Sequence, residues 1–290
     1  VDVRYPVLVR RGGEEGARNA VRLWKIDEHP DPARWVYVPE GRSLLGGDAE
    51  AFDSWDRREP YVEGFFIGRF EVTCAEYAEF LNDPETVRAY LEHRRAGRLR
   101  LVPRQVPDAQ PYEGWIDSEG GAGSTPFKSG SDPRWPVLAI SWEDVIAYVA
   151  WLNRRSEEKG GRWEYALPKE EEWERAARGA DGRVFPWGDG FDWTFCKGGN
   201  SRPGDRSNAE AVGVFPADES PFGVRDLAGG VWERCQDAFE EGSPLRSGRG
   251  GAWLLSEIRG FRCASRYAFD AGNVPGLYGF RVACRARAPR

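Results

Sequence analysis

The residues with the widest chemical repertoire are few. Cysteines stand at Cys74, Cys196, Cys235, Cys263 and Cys284, and the only histidines are His29 and His93. Thiols can hold a soft metal, pair as disulfides or act as nucleophiles once ionised. The cysteine count is odd and no Cys-x-x-Cys occurs, so neither a disulfide scaffold nor a zinc ribbon is expected. Buried free thiols fit the pattern best. Two imidazoles are too few for an iron site held by three histidines. The Gly120-Gly121 and Gly198-Gly199 pairs read as turns, since neither joins a strand to a helix as a phosphate loop must. Glu170-Glu171-Glu172 sits where a helix dipole favours carboxylates. Arg94, Arg95 and the Arg-rich run from 98 to 104 read as a solvated face, because a net charge of −6 offers no broad surface for nucleic acid.

These residues need elements to position them. Trp35 to Gly41 and Phe65 to Val72 read as strands. The second runs into Thr73-Cys-Ala-Glu76, a capping box that opens a helix with Tyr77, Phe80 and Leu81 on its apolar face. Asn82-Asp-Pro84 ends that helix, and a weaker helix covers 85–95. Ser141-Trp-Glu-Asp144 opens another, with Trp142, Val145, Ile146, Val149 and Leu152 on one side. Pro168 precedes a short helix from Lys169 to Arg178, closed by Gly179. Phe185-Pro-Trp-Gly188 is an aromatic turn. Strand-like runs at 5–9 and 20–24 precede a linker, and 96–134 is an aperiodic excursion. With 35 Gly, 20 Pro and no βαβ rhythm, the expected class is α+β with many irregular connections. No stretch reaches the ~20 apolar residues of a membrane span.

Lys occupies only five of the 41 basic positions and Met is absent, a composition expected of a thermophile or of a GC-rich genome. No signal peptide is visible ahead of Val1. The chain is expected to be a processed product or a fragment, either cytoplasmic or displayed through a part that precedes Val1.

Eight landmarks occur in a fixed order: Tyr37-Val-Pro-Glu-Gly41; Phe66 through Thr73 with Tyr77 and Phe80-Leu81; Pro136-Val137 with Ser141-Trp142, Asp144 and Tyr148; and Leu167-Pro168 with Glu172-Trp173-Glu174 and Ala176 to Gly179. They continue with Pro186-Trp187-Gly188; Asp226-Leu-Ala-Gly with Trp232-Glu233; Arg249-Gly250-Gly251 with Arg262-Cys263-Ala264 and Arg266; and Gly279-Phe280-Arg281. The series resembles the formylglycine-generating-enzyme (sulfatase-modifying factor) domain over roughly 35–285. It implies a variant of the C-type lectin fold, with 35–290 as that domain and 1–34 as a strand segment and linker, the end of a preceding domain. The oxidases of this family hold copper on two thiols after the Gly-Gly motif. Here the first such position falls at or near Leu255, no cysteine lies between Ala252 and Phe261, and Cys263 matches a later, structural cysteine. Family members also carry structural Ca²⁺, which would use Asn200, Asp205 and Glu233 here, although Gly230 replaces the usual Asn.

The end of the chain carries a second resemblance. Variable proteins of diversity-generating retroelements keep Gly-Gly-x-Trp, Arg-Cys-Ala-x-Arg and Gly-Phe-Arg-Val as a frame and vary the positions between. All three stand here at 250–253, 262–266 and 279–282. The resemblance makes 249–282 a candidate variable region. Its variable positions would be Leu254, Leu255, Ser256, Arg259, Gly260, Ser265, Tyr267, Ala268, Phe269, Val274, Leu277 and Tyr278. A template of asparagine codons randomised at both adenines can encode each of these, but not Glu257. The expected function is ligand binding without catalysis and without a required cofactor. The partner would be a macromolecule, a protein rather than nucleic acid, and Tyr267, Phe269 and Tyr278 would form an exposed aromatic patch rimmed by Arg. The alternatives are a catalytically inactive family member with a kinase-linked regulatory role, and a copper oxidase with relocated thiols such as Cys235 and Cys263.

Overall fold

The structure, a computed structural model, describes residues 30–104, 132–202, 209–272 and 276–287. The strand expectations at 5–9 and 20–24, most of the excursion, His29, Asp205 and Val274 lie outside the described residues.

Two four-stranded sheets and four helices carry the described chain. The first sheet has the order β1-β4-β10-β5, built from β1 (Trp35–Val38), β4 (Phe65–Gly68), β10 (Ala283–Ala286) and β5 (Trp163–Ala166), all antiparallel. The second has the order β8-β7-β6-β9, from β8 (Tyr267–Asp270), β7 (Leu245–Arg249), β6 (Trp232–Ala238) and β9 (Tyr278–Gly279), with only the β6–β9 pair parallel. A small hairpin, β2 (Gly41–Arg42) with β3 (Tyr61–Val62), completes the strands. This is a mixed fold with few helices and several small sheets.

Local signals set the helices. Thr73 accepts from the Glu76 amide, and the Glu76 carboxylate returns to the Thr73 amide at 2.8 Å, so α1 (Cys74–Leu81) starts as its sequence dictates. Asn82 closes it. Asp83 then caps α2 (Pro84–Arg95), with Pro at the first position, where its missing N–H costs nothing. Ser141 and Asp144 form the same reciprocal box ahead of α3 (Trp142–Glu158). Its buried face is Val145, Tyr148, Val149 and Trp151, whereas Ile146 points outward. The short α4 (Glu170–Arg178) ends at Gly179, whose φ of +68° suits glycine.

The last frame motif reaches back into the first core. Tyr77 and Tyr148 stack at 5.5 Å, and Phe280 packs edge-on to Tyr148 at 5.4 Å. The C-terminal segment therefore contributes to both sheets and closes the molecule.

The Arg run at 98–104 differs from the expectation of a solvated face. Arg104 is buried and donates at 2.6 Å to Asp144 Oδ2, the oxygen that also accepts the Ser141 amide, while Oδ1 accepts the Leu101 amide.

Candidate binding surface

The tract after Gly250-Gly251 is positioned by an ionic frame. Glu170 accepts from Arg249 Nε at 2.9 Å and from Arg266 Nε and Nη2 at 2.9 and 2.8 Å. Arg249 also reaches Glu174 at 3.1 Å. All four side chains are buried. Burial pushes Glu170 up, but the two guanidiniums more than offset this and hold it below the usual carboxylate range. Trp55 stacks under both cations, 4.5 Å from each. On the other side of the tract, Glu233 takes Trp173 Nε1 at 2.8 Å and both Nε and Nη2 of Arg281. Gly250 has φ +78°, and a Cβ on Gly251 would come 2.5 Å from the Phe261 ring, so the pair must be glycine for the chain to turn against that ring.

Between these anchors the backbone loops outward. Leu255 N–H donates to Ala252 O, Gly199 N–H to Leu255 O, and Trp253 N–H to Gly230 O. A 3₁₀ turn, Ile258–Phe261, returns the chain to the interior. Leu254 is 53% exposed and Ile258 44%, while Ser256, Glu257 and Arg259 are also exposed. Arg259 pairs with Glu257 at 2.7 Å and lies 4.0 Å over the Phe52 ring. Leu255 is half-buried against an aromatic cluster of Phe185, Trp187, Phe191, Trp193 and Phe261.

Other candidate positions divide. Ala268 is exposed, and Tyr267 and Leu277 are half-buried. Tyr267 is pinned: its hydroxyl donates to Gly260 O at 3.1 Å, and its ring packs on Trp232 and Phe52. Gly260 and Ser265 are buried, and the Ser265 hydroxyl bonds Arg259 O at 2.6 Å and receives the Phe52 amide. The expected exposed patch of Tyr267, Phe269 and Tyr278 is corrected here. Phe269 and Tyr278 are 5% and 7% exposed and pack on each other at 5.1 Å, with Arg234 lying 4.3 Å over Phe269. Alternation along β8 turns Phe269 inward between exposed Ala268 and Asp270, onto the side-chain-free surface of Gly248. Phe52, Trp55, Trp232 and Ile258 border the surface and were not expected there. Only Ile258 had a signal, its place within the tract.

The site offers no thiolates. A Cβ on Gly260 would lie 2.8 Å from Leu255 Cδ1 and 2.9 Å from the Tyr267 hydroxyl, so the Leu255 side chain fills the space over Gly260. All five thiols are buried and free, and burial raises each above its ordinary range, Cys74 to about 12. Cys235 and Cys263 sit in one apolar core with Trp173 and Ala283, where a thiolate would be costly. The calcium expectation names Asn200, Asp205 and Glu233. Both Glu233 oxygens are taken by N–H donors, Asn200 is exposed, and Asp205 lies outside the described residues. Among the described residues no group of three or more His, Cys, Asp or Glu side chains could hold a metal ion. No described helix is long and apolar enough to cross a membrane.

The family described as "Sulfatase-modifying factor enzyme 1-like domain" matches residues 22–286. The chain belongs to this family. Inactive C-alpha-formylglycine-generating enzyme 2 of Mus musculus is 31% identical, over 90% of this chain and 88% of its own length. Among solved structures, PvdO from Pseudomonas aeruginosa shares the fold with a TM-score of 0.64 at 23% identity, covering 87% of this chain and 94% of its own. Variable protein 1 of Treponema denticola does so with a TM-score of 0.60 at 17% identity, covering 87% and 94%. The formylglycine-generating enzyme of Mus musculus is also similar, 26% identical over 94% of this chain and 84% of its own length, so curated relatives carry both an active and an inactive name, while the solved structures show the fold alone. The residues of this chain must decide among them.

Proposed function

We propose that this member of the sulfatase-modifying factor family is a ligand-binding protein, the variable protein of a diversity-generating retroelement on a C-type lectin scaffold. It would bind a protein through the loop 254–259 and the adjoining Tyr267, Ala268 and Leu277. One observation carries the reading. The loop that follows Gly250-Gly251 exposes Leu254 and Ile258 and packs Leu255 over Gly260, while Arg249 and Trp253 ahead of it and Phe261 and Arg266 behind it hold its two ends. A tract that is anchored from its ends and makes few inward side-chain contacts can change sequence at little cost to the fold. Exposed Leu254 and Ile258, together with Tyr267 and the half-buried Phe52 and Trp232 that pack on it, supply contact area of the kind protein interfaces use.

The test is genomic. DNA neighbouring the gene should hold a near-copy of the segment encoding 249–282, with adenines at the candidate codons, and a reverse-transcriptase gene. An intact neighbourhood with neither would refute the diversified reading.

A second reading is a catalytically inactive formylglycine-generating-enzyme-like domain with a kinase-linked regulatory role, of which the Mus musculus relative favours the inactivity alone. Leu255 and Gly260 suit it equally well, and the neighbourhood separates the two. A copper oxidase would need a thiolate pair, and stoichiometric Cu(I) uptake by the purified protein would revive that reading.

A further inference from the structure

The loop 254–259 has a neighbour on each flank, and neither neighbour belongs to the 249–282 segment. On one side the turn that carries Phe52 packs against it: the Phe52 ring lies 4.0 Å under Arg259 and 5.7 Å from Tyr267. Arg262 ties this turn down, reaching Asp48 and Glu50 at 2.8 Å each. On the other side Trp193 packs edge-on to Phe261 at 5.6 Å, and the Gly199 amide donates to Leu255 O.

The rim expected to be arginine is acidic. Glu50, Asp53, Asp192 and Glu257 are exposed, and Arg259 is the one exposed cation among the described residues of these three segments. Asp48 and Arg262 are largely buried and neutralise each other. The frame below adds no net charge, because Arg249 and Arg266 are matched by Glu170 and Glu174. Four exposed carboxylates against one guanidinium leave a local balance of −3. Thr194 donates its amide and hydroxyl to Asp192 at 2.8 and 2.7 Å, and these bonds hold that carboxyl below its ordinary range. Glu257 is paired only with Arg259, and both side chains are more than half exposed. Exposed pairs of this kind are weak, so Glu257 remains available to a partner's cation.

Charge and variability are therefore separated. Of the twelve candidate variable positions only Arg259 is charged. Glu50, Asp53 and Asp192 lie far outside the tract, and randomised asparagine codons cannot produce Glu257. The apolar centre at Leu254 and Ile258 changes while the acidic rim stays.

Resting on the reading of 254–259 as a binding loop, we propose that its partner presents a basic protein segment. Lys or Arg side chains meet Glu50, Asp53, Asp192 and Glu257, around an apolar residue seated on Leu254 and Ile258. The rim sets the class of partner, and the tract selects among its members. Opposite charge steers the encounter, and like charge rejects acidic proteins, including a second copy of this chain at net −6.

A phage-displayed random peptide library, panned at low ionic strength on the immobilised full chain, tests this. Peptides that fail to bind the folded Leu254→Ser/Ile258→Ser variant are the ones seated on the loop. Their Lys and Arg content should exceed that of the unselected library, and added salt should weaken them. Glu50→Lys with Asp53→Lys turns the local balance from −3 to +1 and should weaken them by about tenfold or more, whereas Glu79→Lys on α1 should not. Loop-seated peptides without a basic excess overturn the proposal and leave the loop a binding surface. So does undiminished affinity for the double reversal with an unchanged circular dichroism spectrum. If the double reversal does not fold, peptide composition decides. A library without binders, or peptides that bind the Leu254→Ser/Ile258→Ser variant as well as the wild type, overturn the binding-loop reading itself and this proposal with it.

Discussion

Glu170→Gln removes the charge that holds both frame arginines. The substitution keeps the side chain's shape, but it sets an NH₂ group against a donor. Arg266 Nη2 now meets Glu170 Oε2 at 2.8 Å, and Arg249 and Arg266 both donate Nε to Oε1. Removing one partner from a buried ion pair costs about 3–5 kcal/mol, because the remaining charge stays buried without compensation. Arg249 retains Glu174 at 3.1 Å and the Cys263 carbonyl at 3.2 Å, and Arg266 retains the Phe239 carbonyl, so the loss should fall near the lower end, about 3 kcal/mol. Against a total of ~5–15 kcal/mol this is large. Urea unfolding followed by tryptophan fluorescence measures it, with hydrogen exchange at 254–260 as a local readout. Glu171→Gln is the control: Glu171 pairs with Arg58 at the surface, where such pairs contribute about 0–1 kcal/mol. A Glu170→Gln loss below about 1 kcal/mol, or a control loss as large, would refute the view that Glu170 organises the frame.

The other predictions concern separate parts of the molecule. Leu254→Ser and Ile258→Ser should each change stability by less than about 0.5 kcal/mol, whereas Phe269→Ala should cost about 3–5 kcal/mol by leaving a cavity under Arg234; parallel denaturant titrations compare them. Gly230→Ala should cost about 1 kcal/mol or more, since a φ of +68° strains any residue with a side chain and the new Cβ would lie 3.3 Å from Glu71 Oε1; an unchanged or stabilised variant counts against this. Burial, with Asp226 nearby, raises Asp218 from 3.8 to about 8, so the stability tied to its neutral form is complete below pH 3.8 and is lost as pH rises toward 8. Acidification from pH 8 to 6 should therefore raise the Asp218-dependent part of stability, and Asp218→Asn should flatten that slope in urea titrations at several pH values.

Legibility in the sequence followed how local each determinant is. Thr73 with Glu76 and Ser141 with Asp144 lie three residues apart, so their helix starts could be read directly and both appear as drawn. Glu170 was legible only as an acidic helix start. Its burial depends on Arg249 and Arg266, 79 and 96 residues further on, and no local pattern announces them. The same holds for Phe269 and Tyr278. Their residue types suit an exposed binding patch as well as a core, and only the pairing of β8 with β7 and the reach of Arg234 from β6 turn them inward. The outward bulge of 254–259 was legible because the Gly-Gly and Arg-Cys-Ala motifs bracket it, whereas Phe52 and Trp55 come from a loop about 200 residues earlier in the chain.

Sequencing the 3′ end of the gene from independent isolates tests the central claim most directly. The account predicts substitutions concentrated at codons such as those for Leu254, Leu255, Ser256, Arg259 and Ala268, with Arg249, Trp253, Phe261, Arg266 and Arg281 invariant. A uniform segment, or changes spread equally over frame and loop, would contradict it.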